Sequence, residues 1–540
     1  MAIYYLDSVS GDDNQSGTTE NLAWQTLNAV QSHSFTSGDV IKLKRGSLFN
    51  HAVTFSHGGT YTMLIVNTGG LTFEDYGTGD IPIISGEANG MMPMNWISAF
   101  GSKDNMTFRN IKFFNPGDDG SYRILMNTEN CNGWLLENCH FDCNHVWSGT
   151  KKVSCLTQQS GSDSWQIRNN IFENTTPSDT TAPRGNEHGI YLGGSYNIVE
   201  YNIVRNCYGQ GILFNSPNDM YDNIARYNWV ENTGSGIVEA GGTRTLIHNN
   251  IIITPDGSYE NTAVGIVLRS TWAGDSAYIR KSVDAKIYHN TVIAKTPADG
   301  KSVIAFQMQS GTAGDPISGA EIKNNIFYAE AKGTGNIWYL YSSAVNLNLP
   351  TFNNNVYYAI ADAPIWFIDD PSFPNETTFA GWQAHPDSPD PDSINVDPQF
   401  TDYGNHDFSI PTGSPAKDIG VKAYDHSLVW LNTDYPQNTR DATPDIGAYE
   451  FISEALPIIT KDTTPRVCLN IEASGFTTAQ WYKDGVIMAG ETSLSYQSAD
   501  LVLGHNSTYY CKISGGGEEV NSIPMKVTYD SAGLNYSMII

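Results

Sequence analysis

One short pattern constrains this chain more than any other feature: an apolar residue, two variable residues, an asparagine and an apolar pair. It centres on Asn110, Asn138, Asn170, Asn202, Asn228, Asn250, Asn290, Asn325 and Asn355. Successive asparagines stand 22 to 40 residues apart, a spread with a floor but no fixed period. A solenoid produces that distribution, because every coil needs a minimum of residues for its strands while any one turn can lengthen into a loop. Asparagines at one turn of successive coils lie about 4.8 Å apart, the spacing of strands in a sheet. The amide carries both donor and acceptor, so equivalent side chains can bond to one another along the stack. The pattern predicts a parallel β-helix with a ladder of buried amides. A preference of asparagine for turns explains single occurrences better than nine in one register.

A second element lies between these turns. HGIYLGG (188–194), QGILFNS (210–216), SGIVEAG (235–241) and VGIVLRS (264–270) share a GIxx core. Strand alternation places Ile190, Ile212, Ile237 and Ile266 inside, and Gly189, Gly211, Gly236 and Gly265 outside beside Tyr191, Leu213, Val238 and Val267. An outward file of glycines forms a shallow trough suited to a chain-like ligand. Equally, glycine lets the backbone bend sharply into each strand.

Charge narrows the partners. With 30 basic and 57 acidic side chains the formal net charge is −27. Nucleic acid and anionic membrane surfaces reward clustered positive charge and are poor partners for such a chain. No apolar run is long enough to span a bilayer. MAIYYLDS has neither a charged n-region nor an apolar h-region, so no signal peptide is expected in this chain; a removed leader or release with a virus particle both accommodate an extracellular location.

Taken in order, the chain divides into 1–100, 101–360, 361–455, 456–530 and 531–540. The first part opens with a strand, a polar loop and a second strand; its Tyr4, Tyr5, Asp7, Gly11, Asp13, Gly17, Trp24, Thr26, Leu27, Gly38, Asp39, Ile41, Leu43 and Gly46 resemble the start of bacterial right-handed parallel β-helix enzymes acting on polysaccharides. That resemblance implies a cap over the first coil, which would otherwise expose strand edges and core. The coils of 101–360 carry long insertions at 142–152, 173–187, 254–263, 271–284 and 310–318, the usual seat of specificity on a rigid stack. VDPQF (396–400), GSPAKDIG (413–420) and PDIGAYEF (444–451) look like the closing coils of the same family, of the pectate lyase-like and chondroitinase B-like kind. In 456–530, Cys468, Trp481, Tyr509 and Cys511 reproduce the spacing of an immunoglobulin-like sandwich, and that resemblance implies a Cys468–Cys511 disulfide and an oxidising compartment. Cys131, Cys139, Cys143, Cys155 and Cys207 include no CxxC pair and read as core residues. The expected class is all-β: a right-handed parallel β-helix followed by an immunoglobulin-like β-sandwich, with 531–540 a loose tail.

The resemblance implies an enzyme acting on a polysaccharide along the outer face of the coils. A lyase needs a base to remove the C5 proton of a uronic acid, and positive charge from Arg, Lys or Ca²⁺ to stabilise the enolate. With Ile124 and Val153 inward on adjacent strands, Arg123 and Lys152 face outward, and the next coil adds Arg184, His188 and Tyr191. His188, Tyr191 and Lys152 are the leading catalytic candidates, with Arg184 beside them; Arg123, Glu187, Asn215 and Arg269 are candidates for binding. Each also has a plain structural explanation as a surface charge, a turn residue or a packed ring. No motif calls for a cofactor, and Ca²⁺ stays a candidate. A hydrolase needs two carboxylates about 5–9.5 Å apart. Glu187 and Glu239 stand too far apart for that, although Glu239, with the parity of the interior, suits a general acid of raised pKa, with a partner from loops such as Asp142, Asp256 or Asp275. A third reading is a trimeric tailspike or adhesin, where an enzyme would be monomeric.

Overall fold

The computed structural model describes residues 1–49, 56–57, 60–65, 68–85, 95–100, 103–114, 123–144, 153–159, 161–175, 187–254, 262–270, 281–295, 302–309, 317–330, 337–342, 350–360, 365–369, 376–384 and 390–451, with further strands between 458 and 538. The long insertions fall for the most part outside these residues.

Each coil contributes a strand to three sheets in turn. One full coil runs through Gln166–Arg168, turns at Asn169 and Asn170, continues as Ile171–Glu173, and reaches the third sheet at Ile190–Leu192. A further turn at Tyr196 and Asn197 leads into the next coil at Ile198–Glu200. The first sheet contains 12 strands, all pairing in parallel from Ile3–Leu6 to Thr351–Asn353. The second and third merge where Ile203–Tyr221 and Trp229–Thr243 run unbroken from one to the other. These two are the coils without insertions, which accounts for the shortest asparagine spacings.

Inside, like stacks on like. Phe113, Phe141 and Phe172 hold successive positions of the second sheet with ring centroids 4.7 Å apart, and Trp134 stacks on Trp165 at 4.7 Å. Those separations match the rise between coils. The amide ladder is present from Asn170 through Asn202, Asn228, Asn250, Asn290 and Asn325 to Asn355, each Nδ2 donating to the next Oδ1 at 2.9–3.1 Å. Each Oδ1 also accepts the backbone N–H of the preceding ladder residue, for example Asn202 N–H to Asn228 at 3.1 Å. Asn110 and Asn138 are not in it. They occupy the left-handed position before the ladder, with φ of 54° at both, while Ile111 and Cys139 stand in the ladder column. Asn and Asp tolerate that backbone region, so the same residue type serves two adjacent columns. A second amide ladder, Gln158–Asn197–Asn223, runs at the turn entering the first sheet.

The glycine column is not an outward trough. A Cβ on Gly189, Gly211, Gly236 or Gly265 would lie 2.4–2.6 Å from Val204, Val230, Ile252 or Val292, buried residues of the second sheet. These glycines let two sheets meet closely at a corner, and Ile190, Ile212, Ile237 and Ile266 are interior as expected.

The two ends differ. At the start, Trp24, Leu27 and Val30 cover the first coil, Trp24 stacking on Tyr4 at 5.2 Å. At the other end, Ile394–Asn395 makes the last pairing with the stack. Residues 396–451 then lie back along the outside instead of adding coils. Phe408, Ile410, Ala416, Ile446 and Ala448 cover Trp229, Ile251, Ile253, Ile293, Ile326, Tyr328 and Val356.

Farther on, Ile458–Lys461, Arg466–Glu472 and Ser495–Asp500 form one antiparallel sheet, and Thr478–Lys483 and His505–Gly515 with their neighbours a second. Trp481 pairs with Cys511, and both are fully buried, as is Tyr509. Cys468 lies on the first of these sheets and Cys511 on the second; the side chain of Cys468 is outside the described residues, so the expected disulfide is not supported here. Gly533–Met538, expected as loose tail, is a strand paired with Met525–Asp530.

Candidate functional site

The outer face of the third sheet collects part of the expected constellation. In-register pairing lines up Asn127, Thr157, Tyr191, Leu213, Val238, Val267 and Gln307 in one outward column. Asn215, Ala240, Arg269 and Gln309 form a second. His188 sits at the entry of its strand, its N–H bonded to the Ser154 hydroxyl at 3.2 Å, and its ring lies 5.5 Å from that of Tyr191. Asn215, on the following coil, donates to the Tyr191 hydroxyl oxygen at 3.3 Å. Arg269 Nε donates to Gln309 at 2.8 Å. His188, Tyr191 and Asn215 are thus brought together.

Other expected members are not. Arg123 pairs with Val153 and Ile124 with Ser154, one residue out of the expected register, so Arg123 and Lys152 are not opposite each other. The side chains of Arg123, Lys152 and Arg184 lie outside the described residues. Glu187 is 1% exposed, its carbonyl accepting from Thr175 and Gly209. Glu239 continues the inward column of Leu192 and Phe214 and is fully buried. Its carboxyl accepts from the Ser282 hydroxyl at 2.5 Å and from the Gly242 N–H. Burial pushes its pKa up to about 8 against those donors. An interior carboxyl cannot meet a sugar lying on the outer face, and this corrects the expectation that Glu239 acts as a catalytic acid.

Beyond Tyr191 the first outward column turns aliphatic, and Leu213, Val238, Ala240, Val264, Val267 and Ile304 form a buried cluster against which Tyr191 packs. Polar groups on this face therefore fall in two sets, one at the coils of Asn127 to Asn215 and one at Arg269, Gln307 and Gln309.

Residues 52–271 match the family described as "Right handed beta helix region". The core of this chain is a right-handed parallel β-helix. No curated protein sequence matches the chain. Among solved structures, a rhamnogalacturonan lyase is 12% identical, covering 76% of this chain and 95% of its own, with a TM-score of 0.44. The pectate lyase Pel9A is 14% identical, with coverages of 83% and 96% and a TM-score of 0.37. The GH136 lacto-N-biosidase from Eubacterium ramulus is 14% identical, with coverages of 73% and 67% and a TM-score of 0.34. These likenesses concern the fold.

A charged cluster missed in the sequence decorates the second sheet of the β-helix. His140 Nε2 lies 2.7 Å from Glu173, whose other oxygen accepts from Arg205 Nε at 2.6 Å; Lys112 Nζ is 2.9 Å from Asp142. Burial raises the Glu173 pKa, but His140 and Arg205 outweigh it and bring the value down to about 2. Ligand atoms of His140, Asp142 and Glu173 lie within 4.8 Å of one another, the reach of one cation. The fit is poor: Lys112 and Arg205 already balance both carboxylates, and Asp142 Oδ1 accepts from Asn144 N–H and Asn174 Nδ2. A bound cation would have to displace these donors. The signal in the sequence was alternation within HFD and IFE, legible only once their register was known.

The phrase PDIGAYEF also finds its purpose in the β-helix. Asp445 accepts from the N–H groups of Asp418 and Phe451, and Glu450 from those of Asp441 and Asp445. Arg440, 1% exposed, donates to Glu450 at 3.0 Å and to two backbone carbonyls. Tyr227 and Asn249 bond to Thr433, and Asn324 to Val421, so this knot fastens the returning segment to the turns beside the amide ladder.

Proposed function

We propose that this protein is an extracellular carbohydrate-active enzyme, a polysaccharide lyase that cleaves an acidic glycan on the outer third sheet by β-elimination. The observation that carries the reading is the grouping of His188, 4% exposed at the head of its strand, with Tyr191 and Asn215 on adjoining coils. A histidine and a phenol side by side supply a base for the C5 proton and an acid for the departing oxygen. The Tyr191 oxygen accepts from Asn215, and its phenol is the group assigned as that acid. Ring faces at this spot suit stacking of a sugar.

The net charge of −27 repels a polyanion at long range, but salt screens that field over about 8–10 Å.

The test offers neutral and acidic polysaccharides while near-ultraviolet absorbance and reducing ends are followed together. β-Elimination gives an unsaturated sugar that absorbs, and the two signals rise in step. His188→Ala is expected to lower turnover by about 10²-fold or more with the β-sheet circular dichroism unchanged. Reducing ends appearing without absorbance would point to hydrolysis instead.

A further inference from the structure

Cys143 directly follows the second-sheet strand of its coil, His140–Asp142, and Cys155 lies in the third-sheet strand of the same coil, Val153–Gln158. Their sulfurs are 3.6 Å apart, with Cys143 2% exposed and Cys155 fully buried. A disulfide needs the sulfurs about 1.5 Å closer, at about 2.05 Å. Both cysteines belong to the one coil and are separated by 12 residues. The closed loop would therefore be short, and its ends meet readily while the chain is folding.

We propose that Cys143 and Cys155 are an oxidisable pair, forming a disulfide that ties off segment 144–154 between the second and third sheets. The oxidant is a low-molecular-weight disulfide, RSSR. The thiolate of one cysteine attacks an RSSR sulfur, breaking that S–S bond and releasing one RSH. The second thiol then displaces the other RS group as RSH, giving the protein disulfide. In sum, two protein thiols and RSSR yield one protein disulfide and two RSH; the protein is oxidised and RSSR reduced. Burial pushes both thiols above their ordinary pKa, most strongly Cys155, so the exchange belongs to the stage before the coil closes over them.

Cys207 is the competitor, since its charge would be felt by both Cys143 and Cys155. The test uses the full chain exported into an oxidising compartment, denatured with iodoacetamide and no reductant, and digested with trypsin, which cuts after Lys151 and Lys152 between the two cysteines. The expected result is peptide 124–151 joined to peptide 153–168, with fragmentation placing the bond on Cys143 and reductant releasing both. In Cys143→Ser, peptide 153–168 should be recovered alkylated. Alkylation of Cys143 and Cys155 in the wild-type chain, or a bond from Cys155 to Cys207, overturns the proposal.

Discussion

Individual residues in this molecule are held to account by their neighbours one coil away. Asn228 receives the N–H and amide of Asn202, and passes its own to Asn250 and to the Val199 carbonyl. Asn228→Ala strands several buried polar groups at once and should cost about 2–4 kcal/mol, read as a lower denaturant midpoint. Gly236→Ala is expected to cost about 1–3 kcal/mol, because the new methyl meets Ile252 and the Gly265 carbonyl at 2.4 and 2.5 Å. Glu239→Gln keeps the size of the side chain and one acceptor oxygen, its amide N–H donating where the carboxyl accepted, and full turnover in that variant would agree with its interior position. Glu239 also bears on pH. Its pKa is raised to about 8, and burial raises Asp434 and Asp445 to about 7. The folded state therefore holds protons that the unfolded chain has released, and stability falls as pH rises through the folded values. Buried His248, pulled down to about 3, and His289 act in the opposite sense, but only below the ordinary histidine pKa of about 6.5. Between about pH 6.5 and 8.5 the carboxyls prevail, so the melting temperature should drop across that interval, and less steeply in Glu239→Gln.

At the scale of strands and turns, the sequence was informative where one residue type does one task. Seven of the nine asparagines stack because their pattern is tied to an apolar pair whose parity is unambiguous. Asn110 and Asn138 misled because the left-handed corner and the ladder column are consecutive and accept the same residue. From Asn169 onward that corner holds Tyr201, Tyr227 and His289 as well as asparagine. The glycine column misled for a related reason. Alternation presumes a straight strand, and these glycines sit where the strand bends, so their open side turns to the second sheet. A one-residue error in pairing Arg123–Glu129 with Val153–Gln158 likewise dissolved the expected Arg123–Lys152 pair, since in a strand one residue exchanges the two faces. His188, Tyr191 and Asn215 were found because they flank a repeated GIxx core, whereas His140, Glu173 and Arg205 belong to three-residue strands with no repeated phrase.

For the molecule as a whole, the returning segment matters most. Ending the chain after residue 395 would uncover Ile251, Ile253, Ile293, Ile326, Tyr328 and Val356 along one side of the β-helix. Such a contiguous apolar stripe exceeds what soluble proteins leave exposed, so the truncated chain should aggregate or bind a hydrophobic dye, unlike the full chain. Sedimentation offers a second check: a lyase is expected as a monomer, and a compact trimer would favour a spike that carries the same coils. Solenoids ordinarily come apart a repeat at a time, since each repeat touches only its neighbours. Here one strip is stitched across the coils from Trp229 to Val356, with its own buried knot of Arg440 and Glu450. Those coils are thereby committed to a shared fate: a force that peels from the carboxyl end must rip the seam before any turn can unwind, so rupture is expected as one large event followed by many small ones.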